Sequence, residues 1–323
     1  MRSSLVGSEM CIRDREIFND ISCETPMLRL LQGDVGSGKT IVAALIASSI
    51  VADNKQVAIL APTTILANQH YQNFVQWFGC DDEIELLTSK IAVKERRQIY
   101  QKIQSGKTKI IIGTHAVFQK DVVYKNLSLV IYDEQHRFGV SQRLKLKEKS
   151  ENFPHQLLLS ATPIPRTMAM GVLSGLDVST IKSLPPNRKP IVTSTLPNKR
   201  RGALISRIKS AISEGAQVYW VCPLIDESET ELIGIEDLEK ILSKEFKPDD
   251  YQIIHGKMKD ADKERILRAF KDKKTKILLA TTVIEVGIDV PNANIMVIEN
   301  SERFGLSQLH PVSYTHLTLP TSH

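Results

Sequence analysis

Residues 33–40 read Gly33-Asp34-Val35-Gly36-Ser37-Gly38-Lys39-Thr40, and the fold of the first half of the chain follows from them. The spacing is G-x-x-x-x-G-K-[ST], the signature of a loop whose backbone cradles phosphate. An apolar run with Leu28, Leu30 and Leu31 comes before it, and a helical pattern from Thr40 to Ala52 comes after it. That is the strand–loop–helix setting the motif needs, and it weighs against a chance glycine-rich turn ahead of a lysine. Gly33, Gly36 and Gly38 let the backbone turn its N–H groups toward an anion, with Ser37 in the same loop. The start of the following helix adds partial positive charge. Lys39 then reaches the β- and γ-phosphates of a nucleotide, and the Thr40 hydroxyl is a ligand for Mg²⁺.

A second stretch turns a nucleotide site into a hydrolytic one. Residues 127–132, Leu-Ser-Leu-Val-Ile-Tyr, are apolar enough to be a buried parallel strand, and they end in Asp133-Glu134-Gln135-His136. In a doubly wound sheet the C-terminal strand ends share an edge with the phosphate loop. Asp133 is expected to hold Mg²⁺ there, and Glu134 to polarise the water that attacks the γ-phosphate. Alone, an Asp-Glu pair after a strand reads equally as a helix cap or a solvated turn. The phosphate loop selects the catalytic reading.

Outward from these stretches, strand and helix alternate twice over. Strands are expected at 29–32, 57–61, 84–88, 109–113, 127–132 and 156–160, and again at 191–196, 218–223, 251–255, 276–280 and 294–298. Helices are expected at 40–52 and 92–105 in the first half, and at 201–214, 236–245 and 260–272 in the second. Alternating βα units imply parallel sheets with right-handed crossovers. Residues 183–190, Ser-Leu-Pro-Pro-Asn-Arg-Lys-Pro, hold three prolines and no apolar pattern, which marks the linker between the halves.

Composition narrows the class. The chain has 323 residues and is 42% hydrophobic, enough for two domains with full cores. No apolar run approaches a membrane span, and the first residues lack the apolar centre of a signal peptide. The four cysteines, Cys11, Cys23, Cys80 and Cys222, form no CxxC pair, so neither a zinc site nor a disulfide framework is suggested. A net charge of +5 suits a phosphate-backbone partner without proving one.

Taken in order, the motifs resemble those of superfamily 2 helicases. Gly33–Thr40, Asp133–His136 and Ser160-Ala161-Thr162 are similar to motifs I, II and III. The string Ala61-Pro62-Thr63-Thr64-Ile65-Leu66-Ala67-Asn68-Gln69-His70 resembles motif Ia, Gly113-Thr114-His115 a later DNA-contact motif, and residues 279–291 motif V. The strings SATPIPRT (160–167) and ENSERFGLSQLH (299–310) are shared by the RecG family and the transcription-repair coupling factors, while VYWVCPLIDESE (218–229) resembles RecG sequences in particular. The resemblance implies an α/β fold of two tandem RecA-like P-loop domains, and a motor that uses ATP and Mg²⁺ to remodel branched DNA in repair and recombination. It implies no membrane, no obligate protein partner and a bacterial cytoplasmic setting. The alternatives are a coupling-factor motor and a nucleotide-gated DNA-binding module without turnover.

The same resemblance assigns roles to residues. Gln135, His136, Ser160 and Thr162 are expected to couple hydrolysis to movement. Gly287 and Asp289 are expected to face the nucleotide from the second domain. Thr63, Thr64, Thr114, His115, Thr281 and Thr282 are expected to hydrogen-bond the phosphates of the tracked strand, contacts that position without reading sequence. His115 reads equally well as a satisfied core or cap histidine, and Arg166 and Arg303 fall outside the family's arginine-finger positions. The implied domains are 15–184 and 191–310, joined by 185–190, with the second incomplete. Residues 1–14 and 311–323 depart abruptly from the family and read as translated sequencing-adapter sequence. Residues 311–323 contain no Arg or Lys where relatives carry an arginine-rich motif VI, so little turnover is expected of the chain as it stands.

Overall fold

A computed structural model describes residues 9–134, 153–161, 176–181, 192–223, 235–281 and 293–304, apart from single positions at 24, 35, 80, 90 and 257. The chain divides into two compact units, Met1–Pro186 and Asn187–His323. The linker expected at 185–190 lies outside the described residues.

The first unit is built on β1 (Leu28–Gly33), β2 (Gln56–Leu60), β3 (Ile84–Leu87), β4 (Ile110–Gly113), β5 (Leu127–Tyr132), β6 (His155–Ser160) and β7 (Asp177–Ile181). They form one seven-stranded sheet in the order β3-β4-β2-β5-β6-β1-β7. Every recorded pairing is parallel. Helices α1 (Glu9–Ile21), α2 (Lys39–Ala52), α3 (Thr64–Phe78) and α4 (Val93–Ser105) connect or cover the strands.

The strand sequences are apolar without alternation because both faces are covered. Side chains still alternate between faces. Val57, Ile59, Leu129, Ile131, Leu157 and Leu159 pack with Val42, Ile46 and Ile50 of α2. Their neighbours Ala58, Leu60, Val130, Tyr132 and Leu158 pack on the opposite face with Ile99 and Ile103 of α4.

The second unit contains β8 (Val218–Cys222), β9 (Tyr251–Ile254), β10 (Ile277–Thr281) and β11 (Ile295–Ile298), with α5 (Arg201–Ser213), α6 (Ile235–Glu245) and α7 (Asp260–Lys271). Its parallel sheet runs β11-β8-β10-β9. This order repeats β5-β2-β4-β3 of the first unit, strand for strand. Trp220 and Leu279 are fully buried in its core with Ile208 of α5 and Leu238 and Leu242 of α6.

A buried glutamine marks the same place in each unit. Gln56, the first residue of β2, donates to the carbonyls of Ile103 (2.9 Å) and Thr108 (2.8 Å), at the end of α4 and the approach to β4. Its Oε1 accepts from the N–H groups of Lys125 (2.8 Å) and Asn126 (3.0 Å), ahead of β5. Gln217, ahead of β8, donates to the carbonyls of Phe270 (2.6 Å) and Thr275 (2.7 Å), at the end of α7 and the approach to β10. Each side chain satisfies backbone groups that burial would otherwise leave unpaired.

Three elements differ from the sequence expectation. Residues 191–196 do not form a strand: Val192 makes an isolated bridge and 193–197 run exposed without regular structure. Their β-branched residues suit a strand, but propensity without a paired edge does not make one. β7 was not expected, because its sequence Asp-Val-Ser-Thr-Ile is half polar, as an edge strand tolerates. Helix α1 begins at Glu9 and so runs across the boundary expected at 14/15. Among the described residues no helix is long and apolar enough to cross a membrane.

The glutamine clamps lead to a stability prediction. Gln56→Ala and Gln217→Ala strand several buried backbone groups, and each is expected to destabilise its own unit by about 3 kcal/mol. The chain's two tryptophans, Trp77 and Trp220, report on separate units. In Trp→Phe backgrounds, urea unfolding followed by Trp77 should shift in the Gln56 variant, and unfolding followed by Trp220 in the Gln217 variant. An unshifted Trp77 transition in Gln56→Ala would refute the clamp.

Candidate functional site

The strand order brings several chain segments to one sheet edge. At the C-terminal ends of β4, β2, β5, β6 and β1 stand Thr114, Thr63, Asp133, Ser160 and Gly33 respectively. This is where ligands bind in open parallel sheets.

Gly33 closes β1 in a place with no room for a side chain. An added Cβ would lie 2.6 Å from Ser37 Oγ and 2.9 Å from Ile181 Cβ. The loop is pinned by Ser37 N–H donating to the Asp34 carbonyl at 3.1 Å. Gly38 has φ 94°, and around it a Cβ would meet nothing, so the demand there is for left-handed backbone rather than space. Helix α2 has Gly38 as its N-cap and no side-chain cap. The first N–H groups to bond back within it, Ile41 and Val42, both reach the Gly38 carbonyl. Those of Lys39 and Thr40 come earlier and are the orphan donors of a helix start.

Lys39 is 9% exposed. Its Nζ donates to the carbonyls of Gly33 (2.6 Å) and Asp34 (2.8 Å). Burial pushes its pKa below the ordinary lysine value, opposed by the carboxylates of Glu134, Asp133 and Asp34. Two of those carboxylates follow β5. Asp133 N–H extends the ladder by donating to the Leu60 carbonyl at 2.8 Å. Glu134 takes φ 52°, left-handed backbone that non-glycine residues rarely adopt and that clusters at functional sites.

Asp133 has a partner that the sequence reading missed. His70 Nε2 lies 2.7 Å from Asp133 Oδ2, with side-chain exposures of 9% and 15%. Burial alone would raise the Asp133 pKa. The hydrogen bond and field of His70, the charge of Lys39 and the Glu134 N–H outweigh it and hold the carboxyl below its usual range. His70 falls on the buried face of α3 with Leu66, Ala67 and Phe74. A histidine on that apolar face was the only local signal; its partner stands 63 positions away.

These residues fit a nucleotide and a magnesium ion. Ser37 Oγ is buried without a hydrogen bond, in a loop otherwise made of donors, the setting in which a phosphate oxygen satisfies a hydroxyl. Among the described residues no group of three or more His, Cys, Asp or Glu could hold a metal. Magnesium suits such a place, since it takes one or two protein oxygens and completes its shell with phosphates and water.

The expected nucleic-acid contacts Thr63, Thr64, Thr114 and His115 lie further along the same edge. Thr63 caps α3, its Oγ1 accepting from Leu66 N–H at 3.3 Å, and Thr64 opens the helix. Thr114 is buried, and exposed His115 opens a 3₁₀ turn to Phe118. Gly113 sets their position, since a Cβ there would lie 2.0 Å from the Leu87 carbonyl oxygen. Ser160 ends β6 in register with Gln32 and is 1% exposed. Thr281 ends β10 in the second unit, with its hydroxyl buried and without a hydrogen bond. Gln135, His136, Thr162, Thr282, Gly287 and Asp289 lie outside the described residues.

The DEAD/DEAH box helicase family matches residues 14–170 and the Helicase conserved C-terminal domain matches residues 201–317. The ATP-dependent DNA helicase RecG of Pasteurella multocida is 51% identical over 307 residues, covering 92% of this chain and 44% of the relative. RecG of Escherichia coli K12 is 50% identical over 301 residues, covering 91% and 43%. The solved structure of RecG bound to a three-way DNA junction superposes with a TM-score of 0.76 at 40% identity, covering 95% of this chain and 40% of that one. Yeast Dbp5 shares the fold at 15% identity and a TM-score of 0.67, covering 96% of this chain and 85% of its own. The chain thus spans less than half the length of the curated relatives. With an identity near one half along almost all of its own length, and the two helicase domains in order, it belongs to the RecG family of helicases.

Proposed function

We propose that the chain is the motor portion of an ATP-dependent DNA helicase that remodels branched DNA in a bacterial cytoplasm. The observation that carries this reading is the single edge of the first sheet. There a buried lysine and the Asp133–Glu134 pair stand beside a row of hydroxyl-bearing residues at the ends of β2 and β4. The RecG relative solved on a three-way DNA junction supports branched DNA as the partner.

In this reading the loop 33–40 binds the nucleotide's phosphates through its N–H groups, the Ser37 hydroxyl and Lys39. Lys39 exchanges its two carbonyl partners for phosphate oxygens, and its burial strengthens that attraction. Thr40 and Asp133 would hold Mg²⁺, which would supply charge neutralisation for the nucleotide's phosphates. Glu134 accepts a proton from the attacking water as the water's oxygen bonds to the γ-phosphorus and the bond from that phosphorus to the β–γ bridging oxygen breaks, so that ADP leaves with the electron pair and phosphate is released. Gln135, His136, Ser160 and Thr162 sense the loss of the γ-phosphate, and Gly287 and Asp289 meet the nucleotide from the second domain. Thr63, Thr64, Thr114, His115, Thr281 and Thr282 hold the phosphates of one DNA strand. Domain closure and reopening with each ATP then moves the chain along it.

Two measurements test this. Lys39→Ala should weaken binding of a fluorescent ATP analogue with Mg²⁺ by about tenfold to a hundredfold, because a charge-assisted contact is lost from a buried site. Glu134→Gln should bind within about threefold of wild type yet hydrolyse nothing measurable, since it removes the base and spares the phosphate and metal contacts. Equal loss of binding in both variants would reject the assignment.

Labelled forked and single-stranded DNA titrated across a salt series gives the second. Phosphate contacts predict affinity that falls steeply and log-linearly with salt and hardly varies with base sequence. A flat salt response, or strong preference for one base sequence, would reject a translocase.

A further inference from the structure

We propose that His70 is a positioning residue that holds Asp133 in place for the metal, an inference resting on the nucleotide reading above. Helix α3 aims His70 at the end of β5, and Nε2 lies 2.7 Å from Asp133 Oδ2. A carboxylate only accepts, so Nε2 carries the hydrogen. Nδ1 is buried and makes no hydrogen bond. The ring thus fixes the orientation of the carboxylate through one of its oxygens.

The second unit shows what the same position looks like when no cation is to be bound. Glu299 follows β11 as Asp133 follows β5. Its N–H donates to the Val221 carbonyl of β8 at 2.8 Å, the counterpart of Asp133 N–H to Leu60. The next residue is left-handed in both units, Glu134 at φ 52° and Asn300 at φ 47°. Yet both Glu299 oxygens are taken. Oε1 accepts from Trp220 Nε1 at 3.0 Å, and Oε2 from Arg201 Nη2 at 2.8 Å. Arg201 is a permanent cation, so this carboxylate is neutralised within the fold. A histidine on one oxygen orients Asp133, where an arginine and an indole N–H close both oxygens of Glu299. Residues that orient a metal ligand in this way commonly change metal affinity by ten- to a hundredfold when removed.

The test uses the whole chain, a fluorescent ATP analogue as probe, and MgCl₂ as the titrant. His70→Leu and His70→Asn both lose the contact, the second because its amide is too short to reach. His70→Gln places an amide N–H near the position of Nε2. Leu and Asn should raise the Mg²⁺ concentration for half-maximal nucleotide binding by about tenfold. Nucleotide affinity in EDTA should stay within about twofold, and Gln should restore the Mg²⁺ midpoint to within about threefold. A Mg²⁺ midpoint unchanged in both Leu and Asn overturns the proposal. So does an equal loss of affinity with and without Mg²⁺, which is what a merely structural histidine would give. Failure of the wild-type chain to bind nucleotide at all would reject the nucleotide reading instead, so the two failures are distinguishable.

Discussion

Lys39 and Asp133 stabilise each other's charged forms inside a poorly solvated edge, and the rest of the first unit is arranged to make that possible. Burial works against both charges, lowering the lysine pKa and raising that of the acid. The lysine is supported first by Glu134 and then by Asp133 and Asp34, and the acid first by His70 and then by Lys39. The sequence separates these groups widely. Only a parallel sheet that returns β1 and β5 to one edge, two strands apart, assembles them. The apolar strands, covered on both faces, supply the rigidity that holds the charges in register.

That dependence explains what could be read from the sequence. The phosphate loop is legible because its chemistry is local: eight consecutive residues carry the turn, the donors and the lysine. Asp133 and Glu134 are legible because a buried strand announces itself by composition and its end by the acids that follow. His70 is different, since its meaning comes from a contact across the fold. Nothing within α3 distinguishes it from a histidine that merely fills the helix–sheet interface.

Edges and ends were the other weak points. β7 hid because a strand paired on one side carries polar residues, while residues 193–197 looked like a strand and are exposed without one. In both cases the deciding term is whether a neighbouring strand offers its backbone, which composition does not encode. The glutamine clamps were equally silent. Gln56 and Gln217 are ordinary polar residues until the fold surrounds them with carbonyls.

The repeated strand block carries a consequence for valency. β2 to β5 and β8 to β11 share an order, a clamp and an acid on the same rung, as two copies of one ancestral unit would. Duplication could have left two equivalent pockets. Instead the second acid is closed by Arg201 and Trp220, which take both of its oxygens. On the reading proposed above, each chain would load one nucleotide, at the first unit, while the second copy's acid serves its own core instead.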